Sequence, residues 1–158
     1  MILVSFIFPL TMSHNSSPLS ASWLGEWQVL WKGTLGEQFV GNSRLSRPLN
    51  NALLKEEIEA FRPDVWSGCK GTTLAKFNMH TKTWHYAYQD NRGEYCDFIG
   101  QYQGRMFSMN YVNALGGQIK QRMVVQSVHT HTIRWDCERY EAVTDRWHKV
   151  WEVKYWRQ

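Results

Sequence analysis

Two sets of polar residues stand where the apolar pattern of this chain calls for hydrocarbon. Glu56 lies between Leu54 and Ile58 and shares their face if the segment is extended. A carboxyl held in an apolar wall favours its protonated form and can pass a proton. Lys55, Glu57 and Glu59 surround it, so a solvated charged stretch is the plainer reading of the same residues. Gln121, His131 and Arg139 keep the period-two parity of Met123 and Trp135. They are suited to hold a ligand carbonyl or carboxylate, with His131 as the second acid/base candidate beside Glu56. Arg139, near a strand end, can equally extend its head to water. His129 and His131 put two imidazoles on one face, a spacing compatible with a metal, but no third ligand stands nearby and no metal is implied. Phosphate-loop, serine-elbow and paired-carboxylate patterns are absent from the sequence.

Those residues need strands to position them. From Trp23 onward the chain runs as short alternating segments separated by turn residues, the pattern of an all-β protein. Trp23, Gly25, Trp27, Val29 and Trp31 share one face of a first strand, with Glu26, Gln28 and Lys32 on the other. Further strands are expected over residues 37–45, 71–79, 83–90, 94–101, 105–112, 118–127, 130–140 and 146–157, joined by short Gly-, Asn- or Asp-containing turns. Trp84, Tyr86 and Tyr88 share a face, as do Ile119, Met123 and Val125. Residues 52–61 are ambiguous, because Leu54, Ile58 and Phe61 sit at helical spacing among good helix formers. Counted as a strand, that segment brings the total to about ten, arranged as a single up-and-down antiparallel β-barrel.

With 158 residues and 43% hydrophobic composition, the chain fits one globular domain. Nine Trp, seven Tyr and seven Phe are the compositional oddity. They either fill a narrow barrel or line a pocket for a flat, apolar molecule. A net charge of +4 without a long Lys/Arg run argues against a nucleic-acid partner. Three widely spaced cysteines (Cys69, Cys96, Cys137) form neither a zinc motif nor a disulfide framework, and reduced thiols in a cytoplasm are the simple account. The apolar segment 1–10 is too short to span a bilayer and lacks the flanks of a secretory signal. Residues 1–21 therefore read as a lead-in or extension, with Met12 a plausible true start, ahead of a barrel domain over 22–158.

The chain resembles the DUF1579-type, calycin-like proteins. The resemblance rests on Leu24-Gly25-Glu26-Trp27, Gly71-Thr72-Thr73-Leu74, Trp84 with residues 88–93, and Asp145-Arg146-Trp147 leading to Trp151, Tyr155 and Arg157. Thr144-Asp145-Arg146 departs from the DGG turn that such proteins tend to carry. The resemblance implies a lipocalin or fatty-acid-binding-protein style barrel and places a strand over residues 52–61. It also implies a structural bracket in which the Arg157 guanidinium lies over the Trp27 indole and caps one end. Some calycin-like barrels hold haem on a histidine. His148 is the nearest candidate, but parity sets it opposite Trp151, so no cofactor is implied.

With Trp27 and Trp31 inward, the matching faces supply Trp31, Trp84, Tyr86, Tyr88, Gln121, Met123, Trp135, Arg139, Trp151 and Tyr155 as ligand-contacting candidates. The expected function is the enclosure of a small hydrophobic or aromatic molecule. The alternative is a metal-free cyclase, isomerase or decarboxylase working on a secondary-metabolite intermediate, an indolic one included, because aromatic walls preorganise a flexible substrate and stabilise cationic character. A homo-oligomer is compatible with this composition.

Overall fold

A computed structural model of the chain describes residues 23–62, 68–103, 106–112 and 120–157. The lead-in over residues 1–21 and the placement of Ile119 lie outside the described residues. Ten antiparallel strands follow in chain order: β1 (Gly25–Gly33), β2 (Gln38–Ser46), β3 (Leu54–Arg62), β4 (Cys69–Asn78), β5 (Thr83–Asp90), β6 (Tyr95–Gln103), β7 (Met106–Tyr111), β8 (Gln121–His129), β9 (Thr132–Glu141) and β10 (Arg146–Trp156). Each pairs with its sequence neighbours, and β1 pairs with β10, so the sheet closes into an up-and-down barrel without edges.

Alternation builds the wall. In β1, Trp27, Val29, Trp31 and Gly33 are buried while Glu26, Gln28 and Lys32 are exposed. The ambiguous segment is strand β3. A helix there would gather Leu54, Ile58 and Phe61. The observed strand instead buries Leu54, Glu56, Ile58 and Ala60 and pairs with β2 on one side and β4 on the other. Phe61 is exposed. Two ladders and a buried face outweigh helix propensities worth a few tenths of a kcal/mol per residue.

Three bulges interrupt the described ladders. Phe61, Gln126 and Val150 are each extra residues in their strands, since register jumps from Val40↔Arg62 to Gly41↔Ala60, from Val125↔Trp135 to Ser127↔Arg134, and from Lys149↔Glu138 to Trp151↔Cys137. Bulges bend and twist a sheet, which helps it close. The bulge at Val150 also corrects the parity expected for His148. His148 pairs with Arg139, and Trp151 with Cys137, so both lie on the inward-facing row of β10 rather than on opposite faces.

One end of the barrel is capped. The Arg157 guanidinium sits 4.3 Å over the Trp27 ring and donates to the carbonyls of Leu24 and Thr130, each at 3.2 Å. The Trp27 Nε1 donates to the Trp23 carbonyl at 2.9 Å. These contacts tie the chain ahead of β1 and the β8–β9 turn to the last residues of β10.

Candidate functional site

The inward faces carry most of the chain's large rings. Trp31, Trp84, Tyr86, Tyr88, Trp135 and Tyr155 are all at most 4% exposed, and Trp151 is half-buried. Four inward positions lack a side chain altogether, and a ring stands close beside each, joined at Gly33 by the Glu37 carboxyl and at Gly41 by the Glu59 backbone carbonyl. A Cβ built on Gly71 would stand 2.7 Å from the Tyr88 ring, and one on Gly100 2.6 Å from Phe107 and 3.2 Å from Tyr86. At Gly41 it would come within 3.1 Å of the Trp31 ring. At Gly33 it would meet Trp151 at 3.0 Å and collide with the Glu37 carboxyl. Rings seated in this way lie along the wall of the sheet. Pairs such as Phe39–Trp151 (5.4 Å), Trp84–Tyr86 (6.2 Å) and Phe107–Trp135 (6.4 Å) extend the lining from strand to strand.

Within this lining the principal acidic group is Glu56, 3% exposed. Its Oε1 accepts from the Ser43 hydroxyl at 2.5 Å and from the Tyr155 hydroxyl at 3.1 Å. Three strands thereby converge on one oxygen: β2, β3 and β10. That oxygen therefore accepts from two hydroxyls at once. Thr73, also buried, faces Glu56 directly across the β3–β4 ladder. Sequence reasoning missed Ser43. Its signal was available, since Ser43 has the parity of Phe39 and Leu45 and is the one hydroxyl on that face of β2.

The other expected site residues distribute as follows. Met123 is buried on β8. Gln121 and Arg139 are cross-strand partners, and Arg139 in turn faces His148, so the three form one rung across β8, β9 and β10. That rung stands at the end of the barrel opposite the bracket. Gln121 donates to the Cys137 Sγ at 3.1 Å. His148 Nε2 lies 3.2 Å from both Thr144 Oγ1 and Glu141 Oε2. His131 is separated from all of these. It is exposed in the β8–β9 turn, and its carbonyl accepts the Arg157 backbone N–H at 3.1 Å. The strand parity that put His131 beside Trp135 stops at Thr132, where β9 begins. His131 is thus no partner for Glu56, and Tyr155 holds that position.

Burial raises the proton affinity of the other inward titratable groups. It pushes the Cys137 thiol up to about 11 and, with help from Glu94 and Asp90, the Cys96 thiol up to about 12. Burial and then Asp90 raise Cys69. Tyr86 is raised by burial, and Tyr88 by burial and then by Asp90, whose carboxylate accepts its hydroxyl at 3.1 Å. These thiols and phenols stay neutral near pH 7, which makes them lining groups rather than nucleophiles. Among the described residues no three His, Cys, Asp or Glu side chains are placed to hold a metal ion.

No protein-family model matches the chain, and no curated protein matches it. Solved structures do. A de novo designed fluorescence-activating β-barrel is similar at 8% identity and a TM-score of 0.47, over 85% of this chain and 93% of that one. A redesigned β-barrel is similar at 12% identity and a TM-score of 0.45, over 87% of this chain and 93% of that one.

Proposed function

We propose that this barrel encloses a small hydrophobic or aromatic molecule against its inward face. The observation that carries the reading is the seating of rings on glycines. Side chains at Gly71 and Gly100 would collide with Tyr88 and Phe107, and the chain instead lays aromatic rings against the bare wall at those places, with Trp31 and Trp151 close beside Gly41 and Gly33. Ten strands also enclose more room than the eight that side chains alone can fill. The outward residues Glu26, Lys32, Arg44, Glu57, Glu59 and Lys70 are exposed and charged. A charged outside around an apolar inside is the reverse of a membrane-spanning barrel, and it fits a carrier working in water.

The test uses a neutral aromatic probe, N-phenyl-1-naphthylamine, titrated into the purified chain. Saturable fluorescence enhancement at one probe per chain, with quenching of tryptophan emission, is the expected result. Non-saturable enhancement, or none, would remove the proposal.

A second reading is favoured by the Ser43–Glu56–Tyr155 cluster, a buried carboxyl with a phenol and a hydroxyl on one oxygen. Such a group can exchange a proton with a bound molecule, and that would make the same interior an acid/base site for a cyclase, isomerase or decarboxylase. Conversion of a bound candidate substrate by the native chain, lost in Glu56→Gln but with binding retained, is the result this reading requires.

A further inference from the structure

We infer that the molecule taken up is a planar acid, with its ring between Trp31 and Trp151 and its carboxylate at the open rim on Arg139. The inference rests on the carrier reading and adds the chemical class and orientation of the ligand.

Two independent observations support it. The first lies inside the barrel. Trp31 is 2% exposed, and its Nε1 has no hydrogen-bond partner among the described residues. A buried N–H without an acceptor is costly, so a ligand oxygen placed there supplies a bond that the described residues do not. The second lies at the rim. The bulge at Val150 turns His148 onto the row of Arg139 and Gln121, and cross-strand neighbours on one face stand about 5 Å apart. A guanidinium, an imidazole and an amide thus stand on one rung near the same end of the barrel. The Gln121 amide spends one donor on a thiol, a weak acceptor that a carboxylate would readily displace. Acidic groups in the turns at that end include Glu37, which accepts the Leu35 backbone N–H, Glu94, Asp145, which accepts the Tyr140 hydroxyl, Glu141, on His148, and Asp90, on Tyr88 and the β5–β6 turn. Arg139 brings to that rung the fork geometry that suits a carboxylate.

Trp31 and the rim are linked along the wall. Trp31 faces Val153 and Phe39 across its two ladders, and Phe39 packs on Trp151, whose β9 partner Cys137 is next but one to Arg139. A ring lying over this stretch would place one oxygen near Trp31 only if its acceptor sits on or beside the ring. A flat aromatic acid or keto acid meets that condition, whereas a simple alkyl chain does not.

The test compares 6-methoxy-2-naphthoate, its methyl ester and (6-methoxy-2-naphthyl)methylamine by calorimetric titration against the native chain, Arg139→Gln and Trp31→Phe. Native chain should bind the acid at least ten-fold more tightly than the ester, and the amine most weakly. Arg139→Gln, an exposed position, should reduce the acid to within about three-fold of the ester while the ester is unchanged. Trp31→Phe removes the indole donor and should weaken the methoxy acid about three- to ten-fold more than it weakens 2-naphthoate, which carries no second oxygen. Ester binding that equals or exceeds acid binding overturns the inference and leaves the carrier reading intact. Failure of all three naphthalenes together with the neutral probe overturns both.

Discussion

Removing the Arg157 side chain should destabilise the barrel by about 2–3 kcal/mol. The guanidinium covers the Trp27 ring at 4.3 Å and donates to the carbonyls of Leu24 and Thr130. The cation–π contact at a partly covered site contributes about 1 kcal/mol. The partly buried bond to Leu24 contributes about 1 kcal/mol, and the exposed one to Thr130 about 0.5 kcal/mol. For a chain of this size, each kcal/mol moves the melting temperature by about 3 °C, so Arg157→Ala should melt about 6–9 °C lower than the native chain. Urea denaturation at two pH values and two salt concentrations is the appropriate assay. Arg157→Lys separates charge from shape: it keeps the cation, loses the fork, and should recover less than half of the loss. A loss below about 0.5 kcal/mol in Arg157→Ala would refute the reasoning, because only an unstacked, solvated arginine contributes so little.

Three further outcomes follow from the same structure. Gly71→Ala sets a methyl 2.7 Å from the fully buried Tyr88 ring and should cost about 1–3 kcal/mol, read as a lower urea midpoint with altered near-ultraviolet circular dichroism; an unchanged midpoint would show that the ring moves freely. Alkaline pH should unfold the barrel, because Cys137 at about 11 and Cys96 at about 12 hold their protons in the fold when the unfolded thiols, at 9.0, have lost them. Their stabilisation is complete below pH 9 and falls by about 1.4 kcal/mol per thiol per pH unit above it, so stability that stays flat from pH 8 to 10.5 would contradict the burial of both. Tyr155→Phe removes a donor from Glu56 and should cost about 1.5–3 kcal/mol, with a smaller further loss when Ser43→Ala is added than Ser43→Ala causes alone; strict additivity would mean that the two hydroxyls do not share the carboxylate.

The barrel was legible in the sequence because alternation is a local signal. Trp27, Val29 and Trp31 on one face and Glu26, Gln28 and Lys32 on the other need only a period of two, and the same holds for Trp84, Tyr86 and Tyr88. Residues 54–62 show where that signal fails. Their composition favours a helix, and only pairing with β2 and β4 makes them a strand, which is information held by distant parts of the chain. The bulge at Val150 was illegible for another reason. One inserted residue reverses parity for everything on one side of it without any distinctive residue type, so His148 was assigned to the wrong face. Parity also carried His131 past the end of its strand into a turn. The meeting of Glu56 with Tyr155, 99 residues away, depends on barrel closure and could not be read from spacing.

The most direct test of a molecule held inside the barrel is a side-chain methyl NMR titration with N-phenyl-1-naphthylamine. Met109, Met123, Ile133 and Val153 point inward and are at most 2% exposed, whereas Leu35, Leu49, Met79 and Val143 are at least 65% exposed. Shifts confined to the inward methyls and complete at one equivalent are the expected result. Shifts confined to the exposed methyls, with the inward set unmoved, would contradict a ligand held within the barrel.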